Sequence, residues 1–362
     1  MTNSRKASAH DLACPRMDME RNSKRHDKRE PPIARRSNML TWLLWIATSA
    51  VLAAPLGANA QSYPSRPITV VVPFPAGGPS DVVARIVTEQ MGKVLGQSMV
   101  IENVGGAGGM TGSVRVAHAA PDGYTFVLAS VGTHAQNQTL YKQPLYDAAT
   151  DFTPVGLIAE TPIALITRKD LPPNNLKDFI AYAKANQANM KYGSAGAGSA
   201  THLGCVVLNY TLGLDITHVP YRGTGPAMQD LAGGRIDYLC DIIATAKPQI
   251  DGGSVKGIAI LTKERAAVLP NLPTAIEQGT DVQAYTWSAI FLPKGAPADI
   301  VQKLNSAMVA AMKTPSVQER MGSVGAVLVS DDRATPQYLG QFVKSEIAKW
   351  AVPIKASGVS ID

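Results

Sequence analysis

The chain has 362 residues, 45% of them hydrophobic, with 31 Gly, 25 Pro and only 3 Cys, which excludes a disordered chain, a collagen-like repeat and a small disulfide-dense scaffold. Its net charge of +6 is uneven: ten of the 34 Lys and Arg but five of the 28 Asp and Glu fall in residues 1–60, which leaves the rest near +1. A nucleic-acid partner needs basic residues clustered on the folded domain, so that class is excluded.

Residues 1–60 read as a targeting segment. A basic stretch ends at Arg35-Arg36, an apolar run follows from Leu40 to Ala54, then Pro55, Gly57 and the small-residue site Ala58-Asn59-Ala60. This is the order of a cleavable signal peptide, and the apolar run is shorter than the ~20 residues that span a bilayer. Asn38 stands where a twin-arginine signal wants a large apolar residue, which favours the general secretory route. Cleavage after Ala60 leaves 302 exported residues.

That length predicts two domains. Ile68–Val72 is a short apolar β-branched run followed by a Gly-rich turn and helical spacing from Val82 to Leu95. The same strand, turn, helix order recurs through Ser98–Glu102, Val114–Ala119 and Tyr124–Ala129. A second series starts near Pro162: strands Ile163–Thr167, Lys191–Ser194, Ile216–Val219 and Ile236–Ile243, with helices Leu176–Asn186, Thr201–Leu212 and one from Pro226 to Leu231. Strands Val255–Thr262 and Trp287–Leu292 and helices Asp299–Met312 and Pro336–Ala356 complete the chain. The pattern predicts an α/β fold in which each domain is a mainly parallel sheet flanked by helices, with a cleft between. The boundaries fall at 61–162 with 285–362 for domain 1 and 163–284 for domain 2. Cys205 and Cys240 each lie in an apolar run, and form either one bridge or two buried thiols.

Motifs for catalysis are lacking. No H-E-x-x-H, C-x-x-C or G-x-x-x-x-G-K-[ST] occurs, and His118, His134, His202 and His218 stand singly rather than at metal-ligand spacing. Gly106-Ala107-Gly108-Gly109-Met110-Thr111 has Thr where a dinucleotide fingerprint needs its third Gly, and Tyr192 stands where a nucleophile elbow at Ser194 needs Gly. We therefore expect no catalytic residues, no metal and no cofactor. The alternative from another class is a secreted serine hydrolase using Ser194 or Ser199 with His202.

Three Gly/Ser/Thr-rich loops share one placement, at the carboxyl end of a strand and often just before a helix: Pro73–Asp81, Ser130–Ala135 and Ser194–His202. Ligands bind there in open α/β sheets, and free N–H groups at helix N-termini attract anions. The candidate residues are Phe74, Ala76, Gly77, Gly78, Ser80 and Asp81 in the first loop, Ser130, Gly132 and Thr133 in the second, and Ser194, Gly196, Gly198, Ser199 and His202 in the third. Gly78 either lets the backbone approach the ligand or serves a left-handed turn. Asp81 would repel an anion unless turned back onto its helix.

Tyr63-Pro64-Ser65-Arg66-Pro67-Ile68, the Pro73–Asp81 loop, Gly105–Gly109, Pro121-Asp122-Gly123-Tyr124-Thr125, His218–Gly223 and Leu269–Thr274 occur in an order that resembles the Bug-type solute receptors of tripartite tricarboxylate transporters. The resemblance covers residues 63–362. It implies a type II periplasmic binding protein fold, a small carboxylated anion in the cleft and membrane permease subunits as partners. It also draws in Asp241, to select an amino group or protonated hydroxyl or to cap its loop. A monomer is expected, as is delivery to a permease; a sensor presenting its solute to a signalling partner is the second alternative.

Overall fold

The computed structural model describes residues 63–362, and the targeting segment predicted over 1–60 lies outside them. The first elements follow the predicted alternation: β1 (Ile68–Val72), α1 (Pro79–Leu95), β2 (Met99–Asn103), α2 (Met110–Ala117) and β3 (Thr125–Ser130). Strand β1 pairs in parallel with both β2 and β3, which buries its Val and Ile side chains on each face. Pro79 opens α1, where its missing N–H costs nothing, and Gly96 closes it in the left-handed conformation, φ 66°. A π-helical turn over Gly132–Gln136 and a single turn α3 (Asn137–Leu140) follow β3.

Strand β4 (Phe152–Arg168) is 17 residues long, where the alternation predicts a strand only over Ile163–Thr167. Pro154 and Gly156 break the apolar pattern in its first part, and the register shifts there show that the strand absorbs them as irregularities. Pro162 pairs with Tyr285 and Ile163 with Ile242, so β4 changes its neighbour at that point. Beyond it come α4 (Leu176–Asn186), β5 (Lys191–Ser194), α5 (Ala200–Leu212), β6 (Thr217–Pro220), α6 (Thr224–Ala232) and β7 (Tyr238–Ile242). Then α7 (Ile243–Asp251), β8 (Val255–Ile260), β9 (Tyr285–Pro293), α8 (Ala298–Met312), α9 (Pro315–Ser323), β10 (Val327–Leu328) and α10 (Pro336–Ser357) complete the chain.

The strand order is β2-β1-β3-β9-β4-β7-β5-β6, with β8 and β10 also paired to β4. Parallel pairs stand in both halves: β1 with β2 and β3, and β5 with β6 and β7. The strands that join the halves, β9 and β4, run antiparallel to their neighbours, so the sheet is mixed. One core is built around Trp287, Phe126, Phe291 and Leu128, and a smaller one packs Met228 and Leu231 of α6 against Ile166 and Leu239. Cys205 on α5 and Cys240 on β7 form a disulfide, with Cα atoms 5.3 Å apart.

Candidate ligand-binding site

The carboxyl ends of β1, β3, β5 and β6 open into a cavity of about 160 Å³. Three helix N-termini border it: α1 through Gly78, Pro79 and Ser80, α5 through Ser199, Ala200 and Thr201, and α6 through Gly223, Thr224 and Gly225. The first N–H groups of a helix have no acceptor within it, and the aligned peptide dipoles leave that end positive. Ser130 adds a hydroxyl. Its residue is buried, and its Oγ has no hydrogen-bond partner among the described residues. Among the described residues no Asp or Glu lines the cavity, and Arg222 is its one cationic side chain. The chemistry suits a small anion.

The first loop uses its polar groups differently from the sequence expectation. The Gly77 N–H donates to Asp81 Oδ2 at 2.9 Å and the Gly78 N–H to the Pro75 carbonyl at 3.3 Å, so both are engaged within the protein. Free first-turn donors at α1 are the N–H groups of Ser80 and Asp81, because Pro79 has none. Gly78 has φ −76°, an extended conformation open to any residue, and the left-handed turn belongs to Gly77 at φ +76°. Asp81 is turned back. It takes a forked pair from Arg85 at 2.8 and 3.0 Å and a bond from Asn103 Nδ2 at 2.9 Å. Burial pushes its carboxyl up, but the bonds from Arg85, Gly77 and Asn103 outweigh this and hold it below the usual range.

Of the residues proposed from sequence, Phe74, Ala76, Gly77, Gly78, Ser80, Ser130 and Ser199 line this cavity. The others are not among its lining residues. Thr133 is buried and its hydroxyl bonds both the N–H and the carbonyl of Ser130, fixing the end of β3. Gly132 packs against the backbone of Gly198 and Ala200, where a Cβ would lie 3.0 and 3.1 Å from backbone atoms. Gly196 lines an adjoining groove. Asp241 is buried beneath the cavity wall formed by Ile242, accepts a bond from Thr245 at 2.7 Å, and is pushed up to about 7 by burial.

The serine hydrolase arrangement is not formed. Ser199 Oγ donates to the Gly196 carbonyl at 2.6 Å and caps α5 by accepting from the His202 backbone N–H. The His202 ring Nδ1 instead accepts from the Gly198 N–H at 3.3 Å. Ser194 Oγ bonds His218 Nε2 at 2.7 Å, and the His218 and His202 rings stack 4.1 Å apart. Burial pushes His202 down to about 3, with His218 adding to it, and His218 down to about 4. Both rings are neutral braces of the third loop.

The family model described as the tripartite tricarboxylate transporter family receptor matches residues 83–359. The chain belongs to that family of solute receptors. The tripartite tricarboxylate receptor assignment bears out the resemblance carried by the motifs, and solved structures agree with it. MatC from Rhodopseudomonas palustris with bound malate is 42% identical, with TM-score 0.78 over 81% of this chain and 100% of its own. The periplasmic binding protein BugD is 41% identical, with TM-score 0.79 over 82% and 99%. An R. palustris protein solved with adipate is 35% identical, with TM-score 0.78 over 82% and 99%. The receptor fold is therefore that of periplasmic binding proteins.

Sequence reasoning missed one wall of this receptor's cavity. Arg222, Gly223, Thr224, Gly225 and Pro226 line it, as do Ile242 and Thr286. The signal was present, since Gly223–Pro226 follows strand β6 and opens helix α6 as the other loops do. Thr286 lies inside β9, where only the tertiary pairing brings it to the site.

Proposed function

We propose that this receptor holds the carboxylate of a small organic anion at the three helix N-termini and delivers the anion to permease subunits of a tripartite tricarboxylate transporter. The convergence of α1, α5 and α6 on one cavity free of acidic side chains carries this reading. Three or four charge-assisted hydrogen bonds of ~1.5–3 kcal/mol each supply the ~8 kcal/mol of a micromolar complex. The malate and adipate held by the two R. palustris proteins support a carboxylate. In the same reading the segment 1–60 exports the chain and is cleaved after Ala60, and the receptor acts as a monomer. Its lobes, 61–162 with 285–362 and 163–284, close over the ligand. Pro75 against Gly223 and Gly108 against the Ala197 carbonyl are contacts across that closure, tight enough that a Cβ at Gly108 would lie 2.5 Å from the carbonyl oxygen.

A thermal-shift screen over mono-, di- and tricarboxylates tests the reading. A ligand at 100 times its dissociation constant stabilises the fold by ~2.7 kcal/mol, and no shift with any acid would overturn the carboxylate assignment. Gly78→Val probes the first loop. Valine accepts φ −76°, and its Cβ meets only the Pro75 carbonyl, at 3.2 Å, so the ligand-free melting temperature should fall only modestly. Its larger side chain at the cavity wall should raise the dissociation constant by about tenfold or more, ~1.4 kcal/mol. An unchanged constant in calorimetric titration would remove this loop from the site.

A further inference from the structure

Next to the cavity lies a larger groove of about 640 Å³, lined by the Gly105–Gly109 loop, Ala195–Ala197, Tyr141 and Tyr221. Both spaces share Phe74, Pro75, Ala195, Arg222 and Gly223, so these residues form the boundary between them. Arg222 is exposed there, and among the described residues its guanidinium makes no ion pair or hydrogen bond. Asp230, eight residues further on, is occupied by the Tyr221 hydroxyl at 2.8 Å and Arg235 at 2.7 Å. Gly223 packs against the Pro75 ring, where a Cβ would lie 2.8 Å from it, and this fixes the Arg222 backbone at the boundary.

We propose that Arg222 binds a second carboxylate of the ligand, so that the receptor selects dicarboxylates long enough to run from the three helix N-termini to the edge of the groove. This rests on the carboxylate reading above and adds to it a specificity-determining residue. The helix N-termini satisfy one carboxylate without any cationic side chain, and a monocarboxylate leaves the guanidinium in water. A dicarboxylate gains a planar, forked partner for its far end. An amino acid gains nothing equivalent, because among the described residues no Asp or Glu lines either space and Asp241 is buried behind Ile242.

Calorimetric titration of the wild type, Arg222→Gln and Arg222→Lys with two pairs of equal length, hexanoate with adipate and butyrate with succinate, tests the assignment. In the wild type one diacid should bind at least about tenfold tighter than its monoacid, the effect of one charge-assisted hydrogen bond. Arg222→Gln should erase most of that ratio while leaving the monoacid constant within about twofold, and Arg222→Lys should fall between, since lysine keeps the charge but not the fork. A ratio kept in Arg222→Gln, or equal loss for monoacid and diacid, overturns the assignment and leaves the carboxylate reading standing. Absence of binding by any of the four acids and by malate overturns both. Because Arg222 is exposed, unchanged ligand-free melting of the variants separates these outcomes from misfolding.

Discussion

Replacing Cys205 and Cys240 together by Ala is expected to lower the unfolding free energy by about 3–4 kcal/mol. The two residues are 35 apart in sequence and both fully buried. Closing a loop of that length in the unfolded chain removes entropy equivalent to ~3–4 kcal/mol at 25 °C in the chain-entropy model. Chemical denaturation of the wild type under oxidising conditions, beside the double variant, measures the difference. A loss below about 1 kcal/mol, or non-reducing peptide mapping that recovers both cysteines as free thiols, would overturn the assignment of a stabilising bridge. The bridge also bears on the ligand. It ties α5, whose N-terminus borders the cavity, to β7, which ends at Ile242 in the lining of the same cavity. Ligand affinity should therefore weaken in the double variant even at temperatures where the fold is intact.

Stability should fall steeply as pH drops from about 6 to 4.5, by on the order of 2 kcal/mol per pH unit. Burial pushes His134 and His202 down to about 3 and His218 down to about 4, against 6.5 in the unfolded chain. A histidine lowered in this way contributes stability that is complete above its unfolded value and is lost as pH falls toward its folded one. Asp241 acts in the opposite sense. Burial raises it to about 7 from 3.8, so within this window the folded state holds one proton that the unfolded state lacks. Three histidines against one aspartate leave the unfolded state with about two extra protons near pH 5, a slope on the order of 2 kcal/mol per unit once the partly exposed His218 is discounted. Urea denaturation at half-unit steps reads this slope directly. His134→Phe, in a pocket already formed by Phe152, Phe291 and Tyr146, should reduce it by about one proton's worth. Stability that stays flat from pH 6 to 4.5 would contradict the neutral, buried state of these rings.

Local periodicity was sufficient for much of this protein. Short β-branched runs alternating with helical spacing determined the βα units, because strand and helix bury their apolar residues with different periods. Helix Leu176–Asn186 and strand Lys191–Ser194 stand where the residues alone placed them. Glycine, serine and threonine at strand ends marked the loops that border the cavity, since turn chemistry and anion binding call for the same residues. Tertiary structure decided the rest. Strand β4 continues through Pro154, Gly156 and Pro162 because neighbours β9 and β7 hold it, and periodicity carries no record of a strand's neighbours. The N–H groups of Gly77 and Gly78 are spoken for by Asp81 and by Pro75, and Asp81 in turn by Asn103, 22 residues away, so the free donors shift to Ser80 and Asp81. Cys205 meets Cys240, and Gly223 meets Pro75, only once helices and strands distant in sequence pack together. Burial, pairing and hydrogen-bond commitment are properties of that packing, and no single stretch of the chain contains them.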